Sequence, residues 1–226
     1  MKPSVRSLRL PRFRRFTNVQ LLIALGLLFF FFPFVEDVKG GDIIVSILLS
    51  LVLLCAVLAV AERTSVLVIA IVLAIPAIAG RWISHFRPDL VPPPVFLTAG
   101  FVLIAFVVAN LLRFVLRAPS VNAEVLCASI SAYLMLGLLW TVAYWLMDQL
   151  TPGAFAFNTA TGKHSMTGFN AFYFSFITLS TVGYGDITPV SKVARMLAAM
   201  EAMTGLLYVA VLIARLVAIY SSPKSE

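Results

Sequence analysis

The chain has 226 residues, 61% of them hydrophobic and only 12% charged, with a mean hydropathy of +1.01. Soluble proteins average about 45–50% apolar and about 25% charged residues, so the composition excludes a soluble globular protein and defines an integral membrane protein. The formal charge of +7 does not indicate a nucleic-acid partner, because the basic residues crowd one terminus instead of spreading over a domain.

That cluster comes first. Lys2, Arg6, Arg9, Arg12, Arg14 and Arg15 lie within residues 1–18, which read as a basic cytoplasmic N-terminus touching anionic lipid. The apolar run behind it, NVQLLIALGLLFFFFPF, is followed by VEDVKGGD with no small-residue cleavage pattern, so it reads as a first span and not as a removable signal. A helix needs about 20 apolar residues to cross a bilayer. Such runs lie at approximately 19–35, 43–61, 64–80, 95–116 and 124–147, with a last one at 191–220. The expected fold is therefore an all-α membrane protein with six transmembrane helices. Residues 19–117 make a four-helix peripheral domain, and 118–226 a second domain with its outer helix at 124–147 and its inner helix at 191–220.

Some helix ends are legible. Pro76 lies inside the third span and is expected to kink it. Pro92, Pro93 and Pro94 stop any helix before the fourth, while Ser120 or Asn122 is placed to cap the fifth, with Glu124 in its first turn. Cys55 and Cys127 fall in apolar runs and read as small buried side chains, not a disulfide. With the N-terminus inside and six crossings, eleven Lys and Arg fall on the cytoplasmic side and six outside. This is the excess that the positive-inside rule requires, and it places both termini in the cytoplasm.

Between the fifth and sixth spans the pattern changes. DQLTPGAFAFNTATGKHSMTG reads as a surface loop, and FNAFYFSFITLS is too short to cross, so residues 170–180 are expected to form a re-entrant half-helix. Polar, glycine-punctuated TLSTVGYGDITP follows. Non-helical backbone survives at membrane depth only inside protein or along a water-filled path. A strand whose carbonyls face a row of cations meets that demand. Gly183 and Gly185 allow backbone angles that other residues resist, so the carbonyls of Thr181, Val182, Gly183 and Tyr184 can turn to one side. Such oxygens replace an ion's hydration shell, but one strand supplies too few of them, and several copies must ring an axis. The half-helix would aim its negative end at the cation, and Phe172, Tyr173, Phe174 and Phe176 read as packing wedges that hold the ring's diameter.

These residues resemble the selectivity-filter signature of potassium channels, and FYFSFITLSTVGYGDITP is similar to that family's pore helix, filter and outer mouth almost throughout. The resemblance implies a homotetramer selective for potassium, with the filter at Thr181, Val182, Gly183, Tyr184 and Gly185 and with Asp186 at the outer mouth. It implies passive permeation and no catalytic residue, bound potassium in the filter as the single metal, and no cofactor beyond it. Gly205, twenty residues beyond Gly185, falls where many such channels have a bending glycine in the inner helix; close helix packing is the alternative. Ile177 departs from relatives that carry a glutamate there linked to the outer aspartate, which puts that link in doubt.

Six spans with one pore loop look like a voltage-gated channel, but the fourth has only Arg113 and Arg117, both at its cytoplasmic end. They are expected to snorkel to lipid phosphates, leaving weak voltage dependence or none. The short APSVNA connection suggests that each peripheral unit packs beside its own pore subunit. Glu201, an acid one turn before Gly205, must face protein or pore. A ring of acids tuning conductance and a buried hydrogen bond behind the filter are both open to it. Asp148 is read as a cap or water contact, and His85 and His164 as solvated loop residues that form no metal site. The chain ends six residues after Tyr220, which suggests no regulatory domain and, with its small size, a prokaryotic plasma membrane; the regulatory partner and gating stimulus have no signature. The rival readings are a potassium uptake protein, argued against by the single intact filter, a non-conducting modulatory subunit, and a less selective cation channel.

Overall fold

The computed structural model describes residues 17–35, 38–61, 64–87, 89–90, 92–120, 122–158 and 165–221. The basic residues from Lys2 to Arg15, Glu62, Arg63 and His164 lie outside the described residues. In chain order the elements are α1 (Thr17–Val35), α2 (Gly41–Ala59), α3 (Thr64–Phe86), α4 (Pro93–Arg117), α5 (Ala123–Leu150), β1 (Phe155–Phe157), α6 (Gly168–Leu179), β2 (Ile187–Pro189) and α7 (Lys192–Ser221). Six of the described helices, α1 to α5 and α7, are long and apolar enough to cross a membrane, and α6 is the shorter apolar helix among them. The chain is an all-α membrane protein apart from two three-residue strands, one in the stretch expected as a surface loop and one at the end of the TLSTVGYGDITP stretch.

The third helix outruns its expected end at residue 80 by six residues. Gly80 is a point of close approach rather than a stop, since a Cβ there would lie 2.8 Å from Cβ of Phe96 on α4. Arg81, expected in the outer loop, stays helical because α2 and α5 receive its head group: Nε donates to Ser46 Oγ at 3.1 Å, and the guanidinium carbon lies 5.7 Å from the Trp145 ring centroid. Trp82 Nε1 donates to Ser50 Oγ at 3.2 Å, a second polar tie between α3 and α2. At the start of α5 the cap is Asn122, whose Oδ1 accepts from Val125 N at 2.9 Å, and Glu124 sits in the first turn.

Lipid tails are as apolar as leucine, so helices in a bilayer associate by close packing more than by the hydrophobic effect. The buried face of α3 accordingly consists of Ala70, Ala74 and Ala77, which let the neighbouring helices come near. Leu21, Leu25 and Leu28 of α1, Val52 and Ala56 of α2, Leu103, Val107 and Leu111 of α4, and Ala128, Ala132 and Met135 of α5 form one continuous core. Both α1 and α4 lie against α5 of the same chain. The opposite is true of α7, which exposes Met196, Met200, Met203, Leu206, Val209 and Ile213 along its length. Cys55 and Cys127 are free thiols but half-buried, more exposed than expected from their apolar surroundings.

Candidate functional site

The site is assembled around α6. Its last turns hand over to irregular backbone: Ser180 N donates to Phe176 O at 3.1 Å, Thr181 N to Thr178 O at 2.9 Å, and both Val182 N and Gly183 N to Ile177 O at 2.8 and 3.2 Å. The carbonyl end of the half-helix is thus occupied by the first residues of the expected filter. Left-handed backbone recurs at alternate positions, with φ of 60° at Thr181, 54° at Gly183 and 81° at Gly185. The glycines were expected there, whereas Thr181 was not. A β-branched residue in this region is strained by about 1–3 kcal/mol and persists only when its neighbours over-determine it. Here the flanking N–H groups are already committed to α6. Thr181 through Gly185 are exposed, with Tyr184 at 73%.

Behind this segment the aromatic wedges pack as expected, against two different walls. Phe172 and Phe176 meet Phe29 of α1 with ring centroids 4.7 and 4.6 Å apart, and Phe32 lies 5.1 Å from Phe172. Phe174 turns to Tyr144 of α5 at 4.8 Å and to Phe155 of β1 at 5.6 Å. Phe176 fits because residue 137 of α5 is glycine: a Cβ there would stand 2.1 Å from Cζ of the ring. Sequence reading missed Gly137, although an isolated glycine within a helical pattern is a usable packing signal.

The outer mouth is tied to the α5–α6 loop. β1 and β2 pair antiparallel with Ala156 opposite Thr188, Asn158 N donates to Asp186 O at 2.7 Å, and Asn158 Nδ2 donates to Gly185 O at 2.9 Å. Asn158 carried no signal in the sequence. Asp186 sits just beyond residues 181–185, and its Oδ1 is buried with no hydrogen-bond partner among the described residues. Ile177 contributes its backbone carbonyl. Asp148 is neither free nor a cap, since its Oδ2 accepts from Met166 N at 3.2 Å just ahead of α6.

Of the two places open to Glu201, the structure shows the buried hydrogen bond behind the half-helix and not an exposed pore-tuning acid. Its side chain is completely buried, with Tyr144 Oη 2.5 Å from Oε2 and Ser175 Oγ 2.6 Å from Oε1. An acid in a membrane helix is tolerated where protein hydrogen bonds receive it, and the two hydroxyls on α5 and α6 do so. Gly205 lies one turn further along α7, where a Cβ would be 2.1 Å from the carbonyl oxygen of Leu179. Its smallness serves contact between α7 and the end of α6. His85 is exposed beside the Phe86 ring. Among the described residues no group of three or more His, Cys, Asp and Glu is gathered.

Residues 132–222, which take in part of α5, the half-helix α6 with the exposed segment after it, and α7, match the family model described as ion channel. The chain's relatives include two pore potassium channel b of Oryza sativa subsp. japonica, 36% identical over 75 residues, covering 33% of this chain and 18% of the relative. Two-pore potassium channel 4 of Arabidopsis thaliana is 37% identical over 76 residues (32% and 27%), and inward rectifier potassium channel Kirbac3.1 of Paramagnetospirillum magnetotacticum is 30% identical over 95 residues (40% and 28%). The chain thus spans less than a third of the length of these curated relatives. For the pore region, the resemblance to potassium channels read from residues 178–189 is borne out.

Proposed function

We propose that the chain is one subunit of a homotetrameric, potassium-selective channel in a cell membrane, with both termini cytoplasmic and ions passing down their gradient. The observation that carries this reading is the exposed strand Thr181–Gly185, hung from the carbonyl end of α6 with left-handed backbone at every second residue. In a lone chain such a strand has nothing to bind with enough oxygens; a ring of four supplies them. The apolar face of α7, left uncovered by its own chain, is the surface such a ring would bury. Purified protein in liposomes, with potassium on one side and sodium on the other, is expected to show a reversal potential close to that of potassium. A reversal potential near zero would reject selectivity, and no current at all would favour a modulatory subunit.

The peripheral helices have the outline of a voltage sensor without its charges. Moving one elementary charge across 100 mV supplies only about 2.3 kcal/mol, so steep gating needs several. Arg113 and Arg117 are exposed at the end of α4, and Arg81 is held by Ser46 and Trp145. Replacing both α4 residues, Arg113→Gln with Arg117→Gln, is expected to leave the slope of conductance against voltage unchanged. A flattened slope would show that they carry gating charge.

A further inference from the structure

Glu201 is the single acid of α7, and the hydrogens around it can be counted. Three short contacts converge: Tyr144 Oη to Oε2 at 2.5 Å, Ser175 Oγ to Oε1 at 2.6 Å, and Ser175 Oγ to Gly137 O at 2.8 Å. Each needs a hydrogen between its oxygens, since two bare lone pairs at that distance repel. Tyrosine and serine hydroxyls bring one hydrogen each, while an ionised carboxylate and a carbonyl bring none. Two hydrogens cannot serve three contacts, and the third has to sit on the carboxyl. With a proton on Oε1 every group is satisfied: Oε1–H donates to Ser175 Oγ, Ser175 O–H to Gly137 O, and Tyr144 O–H to Oε2. An ionised Glu201 would leave one contact without a hydrogen and a buried charge without a cation. Among the described residues the titratable group in contact with it is Tyr144 of α5, with Tyr133 further along the same helix within reach of its charge; α6 presents Ser175, which does not titrate.

We propose that Glu201 is a positioning residue for the filter and works as a neutral carboxylic acid, its own proton closing a hydrogen-bond chain from α7 through α6 to α5. This rests on the reading of Thr181–Gly185 as a filter. Ser175 lies six residues before Thr181 on a helix whose end supports the strand, so a shift of α7 is passed to the filter through this chain and through the Gly205 contact with Leu179. A hydrophobic replacement would fill the space but not orient α6. Glutamine fits the chain, because its amide nitrogen donates to Ser175 and its oxygen accepts from Tyr144.

The test combines infrared spectroscopy of purified wild-type protein and Glu201→Gln with liposome currents of both across neutral to alkaline pH. The wild type is expected to show the carbonyl stretch of a protonated carboxyl at neutral pH, lost in Glu201→Gln. Its potassium current is expected to fall as alkali removes the proton, while that of Glu201→Gln stays level with an unchanged reversal potential. Absence of a Glu201-dependent carboxyl band at neutral pH overturns the proton assignment whatever the currents do. A band present with identical pH profiles in the two proteins overturns the positioning role. A wild-type reversal potential near zero instead sinks the filter reading on which that role rests, leaving the band to decide the proton.

Discussion

Gly183→Ala is expected to abolish potassium selectivity while leaving the helices intact. The glycine has φ of 54°, and in a single chain a Cβ there would meet nothing within 4 Å, so the cost is not a clash. It is conformational. An L-residue held in the left-handed region is strained by roughly 1–2 kcal/mol, and in the proposed ring of four that would become about 4–8 kcal/mol concentrated on one layer of carbonyls. The strand relieves the strain by rotating that peptide, which turns a carbonyl away from the axis and removes a layer of ion ligands. Reversal potentials in mixed potassium and sodium should therefore move from the potassium value toward zero, with helical content by circular dichroism unchanged. Retained selectivity would show that Gly183 does not line the path.

Gly205→Ala tests a different kind of constraint. A Cβ at this position falls 2.1 Å from a backbone oxygen, that of Leu179, and 3.0 Å from its carbonyl carbon. Backbone at the end of a helix gives way less readily than a side chain, so α7 must back away from α6, at a typical overpacking cost of about 1–3 kcal/mol per subunit. The expected result is a lower thermal midpoint in detergent, whereas Gly26→Ala, where nothing lies within 4 Å of the added atom, leaves it unchanged. A glycine kept only for bending would give the reverse: full stability for Gly205→Ala with altered opening. Equal midpoints for the two variants would return Gly205 to the hinge reading.

Much of the fold was legible because a bilayer imposes its own period. Twenty apolar residues must be helical, and prolines and caps mark where they stop, so all the long helices were found; the end of α3 was misjudged because Gly80 and Arg81 look like punctuation. What they do depends on Phe96, Ser46 and Trp145, residues far along the chain. The irregular segment after α6 was legible for another reason: left-handed backbone at 183 and 185 calls for glycine, and the glycines are written in the sequence. Thr181 escaped because its conformation comes from hydrogen bonds at the end of α6 and not from its own preference. Tyr144 and Ser175 escaped for a related cause. Each is ordinary on its own helix and acquires a role only where α5, α6 and α7 meet around Glu201. Asn158, likewise, belongs to a stretch with no periodicity from which to read a partner.

The short pairing of β1 with β2 bears on the order in which a channel is built. It ties residues 155–157 to 187–189, and with the Asn158 bond to Gly185 it holds residues 181–185 between this pairing and the carbonyl end of α6 in the same chain. In the proposed ring of four, each subunit would therefore bring its quarter of the mouth already drawn into shape, and assembly would join finished quarters instead of folding this segment against strangers. Errors in that loop would show up as subunits that insert and fold but cannot close a ring.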